Sequence, residues 1–218
     1  MPEDTRTGER VYRGIPVSAG VCRGKILVLG KTELSVPHRK LSEEELPEQV
    51  KRLEQSIMET RKQLLEVQHK VSEGLGAEDA SIFDAHLLVL EDRTLLDEVI
   101  RLIHKEKVNV EFAFHKVAER YAKTLSAMND DYLRERASDM RDVTERILNN
   151  LLGRNEPVDV QKLKEPCVII SHDLAPSVTA QLDKKMVLGF ATDIGSKTSH
   201  TAIMARSLEI PDTERCDS

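Results

Sequence analysis

From Ser42 to Gly153, proline occurs only at Pro47, and glycine only at Gly74, Gly76 and Gly153 itself. So long a run without chain breakers favours long helices, because proline and glycine are the residues that most disrupt a helix interior. On both sides the pattern changes. Residues 11–35 and the chain from Pro157 onward carry short apolar runs punctuated by glycine and proline, which read as strands. The simplest arrangement is an α/β subdomain formed by residues 1–36 plus 154–218, with a helical subdomain over 42–153 inserted between its halves.

Apolar seams place the helices. Ser42 followed by Glu45 is a capping-box signature, and Pro47 is tolerated in a first turn. Val50, Leu53, Ile57, Leu64, Val67 and Val71 then recur at helical steps with one polar break. A second helix starts near Ala77, carries Ile82, Phe83, Leu87 and Leu90, and bends or restarts at Glu91-Asp92 before Leu95, Val99, Leu102 and Ile103. A third carries Phe114, Val117, Tyr121 and Leu125. The fourth carries Leu133, Ala137, Met140, Thr144, Ile147 and Leu151, with Gly153 suited to the position after its end. Four such helices with short connections predict an all-α antiparallel four-helix bundle. In the flanking parts, strands are expected at Val11–Ile15, Val21–Leu29, Cys167–Ser171 and Met186–Thr192. A short helix is expected over Ser177–Leu182, and another carries His200.

Composition excludes several classes. With 32 basic and 38 acidic residues the formal charge is −6, which argues against nonspecific nucleic-acid binding. Cys22, Cys167 and Cys216 form no CxxC pair, so neither a disulfide framework nor a zinc site is expected. His38, His69, His104, His115 and His172 show no ligand spacing, and no protein-only metal site is expected. The polar start lacks a signal-peptide core, and no run reaches the roughly 18 apolar residues of a membrane span. A cytoplasmic location follows as the expectation.

The chemistry concentrates in residues 193–206, Asp-Ile-Gly-Ser-Lys-Thr-Ser-His-Thr-Ala-Ile-Met-Ala-Arg. His200 falls just inside a helix start, after a turn rich in glycine and hydroxyls. Helix starts present unpartnered N–H groups and the positive end of the peptide dipoles. An imidazole there stays neutral and nucleophilic, and a phosphoryl group on it is stabilised. Gly195 permits a tight turn, while Thr198, Ser199 and Thr201 offer hydroxyls for phosphate or for ordinary capping. Lys197 can neutralise a phosphate or be a solvated loop lysine. From the residues alone the stretch fits a phosphohistidine carrier or a histidine that only hydrogen-bonds in the first turn.

Thr198-Ser-His-Thr-Ala-Ile-Met-Ala-Arg-Ser-Leu-Glu-Ile-Pro211, preceded by Val187-Leu-Gly-Phe-Ala-Thr-Asp193, resembles the phosphohistidine segment of the phosphoenolpyruvate-utilising enzymes. Gly14-Ile-Pro-Val-Ser-Ala-Gly20, Ala80-Ser-Ile-Phe-Asp-Ala-His-Leu-Leu-Val-Leu-Glu-Asp92 and Asp131-Tyr-Leu-Arg-Glu-Arg-Ala-Ser-Asp-Met-Arg-Asp142 are similar to three further segments of the Enzyme I branch, in the sugar phosphotransferase system. The resemblance implies transfer of phosphate between His200 Nε2 and a histidine of the small carrier HPr. It also implies that Thr179, in Asp173-Leu-Ala-Pro-Ser-Val-Thr-Ala-Gln-Leu182, orients the His200 ring. Ala175 departs from the pattern, standing where a hydroxyl residue would cap the following helix.

The resemblance further implies docking of HPr on the bundle through Ile82, Phe83, His86, Leu87, Leu90 and Arg136, with Arg134 beside it. Read without it, these apolar residues fit a core equally, and His86 fits a packed, hydrogen-bonded histidine. Phosphoenolpyruvate and Mg2+ would be handled by a separate C-terminal barrel, in a longer homodimeric enzyme, so no cofactor is expected on this chain. Open alternatives are another phosphoenolpyruvate-utilising branch, a nitrogen-regulatory paralogue, or a noncatalytic HPr-docking module. After Pro211 the family continues with an apolar strand, whereas here the chain reads Asp-Thr-Glu-Arg-Cys-Asp-Ser. The α/β subdomain is therefore expected to lack its closing strands and to expose a sheet edge.

Overall fold

The computed structural model describes residues 11–29, 35–154, 163–172, 174, 176–179, 182–193 and 200–215. The fold is mixed α/β. The chain divides into two compact units, residues 32–159 and residues 1–31 with 160–218.

The first unit is helical: α1 (Leu46–Gly74), α2 (Ala77–Ala80), α3 (Ile82–Leu90), α4 (Arg93–Glu106), α5 (Val110–Ser126) and α6 (Asp131–Leu152). A short turn of 3-10 helix precedes α1, and there the Glu45 carboxylate accepts from the Ser42 N–H and hydroxyl, both at 2.9 Å. The second expected helix is three segments. Its last break is imposed by Asp92, whose carboxylate accepts from the N–H groups of Thr94 and Leu95 and so starts α4 afresh. Gly153 closes α6 with φ 62°, in the left-handed region.

Most seam residues are interior, but α1 differs from its expected pattern between Leu53 and Leu64. Ser56 and Thr60 are buried there, and Ile57 is only half-buried. The polar break is a polar connection. Thr60 Oγ1 donates to the Ser56 carbonyl at 2.7 Å and accepts from Asn150 Nδ2 of α6 at 2.8 Å. A buried hydroxyl with both partners satisfied carries little penalty.

A larger network fixes the entry to this unit. Arg52 donates to Glu111 Oε1 at 2.5 Å and to the Leu151 carbonyl at 2.9 Å. Asn109 donates to Glu111 Oε2 and to the Pro37 carbonyl, and accepts from the Arg39 N–H. Burial alone would raise the Glu111 pKa, but Arg52 and Asn109 hold it below the usual carboxylate range.

The second unit is a five-stranded sheet in the order β1-β5-β4-β3-β2, built from β1 (Gly14–Ser18), β2 (Lys25–Leu29), β3 (Cys167–Ser171), β4 (Val187–Thr192) and β5 (Asp212–Arg215). Strands β2 to β5 run parallel, and β1 is antiparallel to β5. The first two strands begin later than expected. The polar residues after Pro211, which were not expected to form a strand, form β5 in the interior of the sheet. Backbone pairing to β4 on one side and β1 on the other satisfies that strand whatever its side chains. The edges of the sheet are β1 and β2, and on β2 Ile26 and Val28 are 66% and 67% accessible. Gly189 in β4 has no room for a side chain: a Cβ there would stand 2.4 Å from Cys22 Sγ and 3.1 Å from the Pro211 carbonyl oxygen.

His86 lies in the interior of the helical unit at 0% exposure. Its Nδ1 faces the Ile82 carbonyl at 3.3 Å and its Nε2 faces Asp142 Oδ2 at 3.1 Å, with Asp139 at 4.0 Å. Both near partners are acceptors, so the ring satisfies them only when it carries two protons. Burial works against that charge, but the Asp142 hydrogen bond and the charges of Asp142 and Asp139 outweigh it and raise the His86 pKa. The stabilisation is therefore fully present below the unfolded value of about 6.5 and is lost as pH rises through the higher folded value. Denaturant unfolding of the wild type and of His86→Gln, from about pH 6 to about pH 9, should show the wild type's advantage shrinking with pH. An advantage that grows with pH would contradict this charge assignment.

Candidate functional site

The carboxyl ends of parallel strands are where open α/β sheets place their reactive groups. Here β3 leads to α7 (Pro176–Thr179) and β4 leads to α8 (His200–Ser207). His200 is the first residue of α8. Three apolar residues, Ala202, Met204 and Ala205, are fully buried and bind α8 to its unit. The helix packs on α7 and β1. A helix anchored through Ala202 in its first turn holds its opening backbone in one place, and with it the backbone of His200.

Two side-chain contacts complete that anchoring. Thr201 Oγ1 donates to the Leu174 carbonyl at 2.6 Å, tying the residue after His200 to the segment that follows β3. Thr179 is the last residue of α7 and is fully buried. Thus the structure gathers His200, Thr201 and Thr179 into two adjoining short helices. Gly195, Lys197, Thr198 and Ser199 lie outside the described residues. Arg206 sits at the far end of α8, its guanidinium 3.5 Å from the Val17 carbonyl, so it contacts β1.

One pair at this end of the sheet is absent from the sequence reading. The β3–β4 register sets Ser171 beside Thr192, so the next residues, His172 and Asp193, meet just past the strand ends. His172 Nδ1 lies 3.3 Å from Asp193 Oδ2. The Asp193 N–H also donates to the carbonyls of Ser171 and His172, both at 3.2 Å. No local spacing reveals this contact, because 21 residues separate the partners. Only the strand register would have found it.

The expected docking surface needs correction. Ile82, Phe83, His86 and Leu90 are buried in the helical unit, with Phe83 and His86 at 0% exposure. They face the core because α3 is short and packs against both α1 and α6, so most of its circumference is covered. Leu87 is half-buried, while Leu88 (61%) and Tyr132 (59%) are exposed. Arg136 lies over the Tyr132 ring at 4.8 Å, donates to the Tyr132 hydroxyl and pairs with Asp139 at 3.6 Å. Among the described residues no helix is long and apolar enough to cross a membrane.

Removing the Thr201 hydroxyl tests the tie to α7's approach. Thr201→Val should cost the α/β unit about 1 kcal/mol in denaturant unfolding. A variant as stable as the wild type would show that this hydrogen bond contributes nothing to anchoring α8.

Comparison with known proteins bears on what this arrangement is. Residues 13–136 match the family described as PEP-utilising enzyme, N-terminal, and residues 163–213 match the PEP-utilising enzyme, mobile domain. Curated relatives include a phosphoenolpyruvate-protein phosphotransferase of Mycoplasma capricolum, 42% identical over 199 residues, and one of Bacillus subtilis, 41% identical over 199 residues. Each match covers 91% of this chain and 34% of the relative, so the chain spans about a third of their length. Among solved structures, an NMR structure of an Enzyme I protein aligns with a TM-score of 0.73 at 40% identity, covering 94% of this chain and 82% of that one. The N-terminal domain of Enzyme 1 - Nitrogen aligns at 0.62 and 25% identity, covering 94% and 83%. With two family matches in order along one chain, each falling mainly on one compact unit, this protein belongs to the PEP-utilising enzyme family.

Proposed function

We propose that this chain is a phosphoryl carrier of the sugar phosphotransferase system, exchanging a phosphoryl group between His200 and a histidine of HPr. The observation that carries this reading is the position of His200 as the opening residue of an anchored helix, inside the segment matched to the mobile domain. The higher identity to Enzyme I than to its nitrogen counterpart favours the sugar branch.

In the exchange, His200 enters neutral with its proton on Nδ1 and attacks phosphorus through Nε2. The donor ring, protonated on its other nitrogen, leaves neutral with the electron pair of the broken P–N bond, and His200 becomes the protonated phosphoimidazole. Such a step needs in-line approach and charge stabilisation more than proton transfer. Thr179 orients the imidazole, and Gly195 shapes the approach to the helix. Thr198 and Ser199, with the first-turn amides, offer donors to the phosphoryl oxygens, and Lys197 offsets their charge, while the Thr201 hydroxyl stays on the Leu174 carbonyl.

The helical unit acts as the docking subdomain, an antiparallel bundle of four long helical stretches over 42–153, with the phosphohistidine subdomain over 1–36 and 154–218. Docking rests on Leu87, Leu88, Tyr132 and Arg136, which α3 and α6 leave wholly or partly accessible. Phosphoenolpyruvate and Mg2+ belong to the reaction of the longer enzyme through its C-terminal barrel. Among the described residues no group of three potential metal ligands is gathered, and no step on this chain is assigned to a metal.

Incubation with 32P-labelled phospho-HPr should place an acid-labile, base-stable label on the wild-type chain and none on His200→Ala. His200→Ala should still bind HPr. A label that survives the His200→Ala substitution would overturn the assignment.

A further inference from the structure

His172 is the one histidine at the reactive end of the sheet that the phosphoryl transfer described above leaves unused. Two backbone connections link it to His200. Upstream, Asp193 begins the segment that leads to His200, and its N–H donates to the carbonyl of His172 itself at 3.2 Å. Downstream, Thr201 is bonded to Leu174, two residues past His172, at 2.6 Å. The first turn of α8 is thus fastened two residues beyond His172, and the end of β4 is fastened to His172 itself.

The ring is also held in a defined sense. Asp193 Oδ2 faces Nδ1 at 3.3 Å, and a carboxylate only accepts, so the proton sits on Nδ1 and Nε2 is the ring's other nitrogen. The His172 side chain is 39% exposed and Asp193 is 48% exposed, so the pair borders solvent. An aspartate that fixes the tautomer of a neighbouring imidazole is a recurrent device for presenting the opposite nitrogen to a reacting group.

We propose that His172 Nε2 serves the phosphoryl group carried by His200, donating a charge-assisted hydrogen bond to it once His172 is protonated. This rests on the phosphocarrier reading of His200. A phosphoryl oxygen on one side and the Asp193 carboxylate on the other are both acceptors. Together they demand a proton on each ring nitrogen, so phosphorylation of His200 takes up a proton on His172. Among the described residues the charged group facing His172 is that of Asp193, from the end of β4. Asp183, Lys184 and Lys185 precede β4 at the opposite end of that strand, and Arg206 contacts β1. Asp173 and Lys197 lie outside the described residues.

The test uses the whole chain as wild type, His172→Gln and Asp193→Asn, each equilibrated with 32P-labelled phospho-HPr from about pH 6 to about pH 8.5. The wild type should hold less label on His200 as pH rises. His172→Gln should hold about tenfold less at the low end of the range and lose most of the pH dependence that distinguishes the wild type. Asp193→Asn, which keeps the imidazole but frees its tautomer, should fall between them. Hydrolysis of the phosphohistidine should be faster in His172→Gln than in the wild type. If His172→Gln matches the wild type in both label and pH profile, the role of His172 is overturned while the carrier reading stands. If the wild type itself takes no label on His200, the carrier reading falls and this inference falls with it.

Discussion

The hydrogen bond from Thr201 to the Leu174 carbonyl is the contact on which the site depends. It joins the first turn of α8 to the chain leaving β3, so the backbone of His200 cannot shift without dragging the end of the sheet. A single hydrogen bond contributes only about 1 kcal/mol net, so it does not act alone. Ala202, Met204 and Ala205 are buried beneath the same helix, and their burial supplies the adhesion that the hydrogen bond turns into a fixed register. Position follows from direction and adhesion together. For a phosphoryl transfer that needs in-line approach, this fixity is the property that matters.

The helical unit is organised by the same logic at larger scale. Its aliphatic seams supply adhesion, but they do not choose among rotations and offsets of one helix against another. Directional polar contacts in the interior make that choice: Thr60 with Asn150 between α1 and α6, and Arg52 with Glu111 between α1 and α5. Asn109 extends the second network to Pro37 and Arg39, which fastens the chain entering the unit. His86 with Asp142 ties α3 to α6. Buried charged pairs of this kind add little stability over an apolar core of equal volume, but breaking one partner away is costly.

Much of this architecture was legible in the residues. The scarcity of glycine and proline between Ser42 and Gly153 marked the helical region, and the Ser42–Glu45 and Gly153 signals marked its ends. Cys167–Ser171 and the start of α8 fell where periodicity and turn chemistry put them. Other features were not legible, each for a physical reason. Asp212–Arg215 reads as a polar tail because strand pairing is made by backbone, which side-chain composition does not report. Ser56 and Thr60 read as a gap in the α1 seam because their burial depends on a partner on another helix. Phe83 and Leu90 read equally as surface or core, since a short helix carries too few turns to show which side is covered. The His172–Asp193 pair depended on strand register, which no single segment encodes.

Central to the proposed exchange is that His200 accepts phosphate through Nε2 while Nδ1 keeps its proton. A nitrogen-15 NMR spectrum of the histidine rings, recorded on the chain after phosphorylation by phospho-HPr, tests this directly. One-bond coupling to phosphorus should appear at Nε2 of His200 and nowhere else. Coupling at Nδ1, or at the ring of any other histidine, would contradict it.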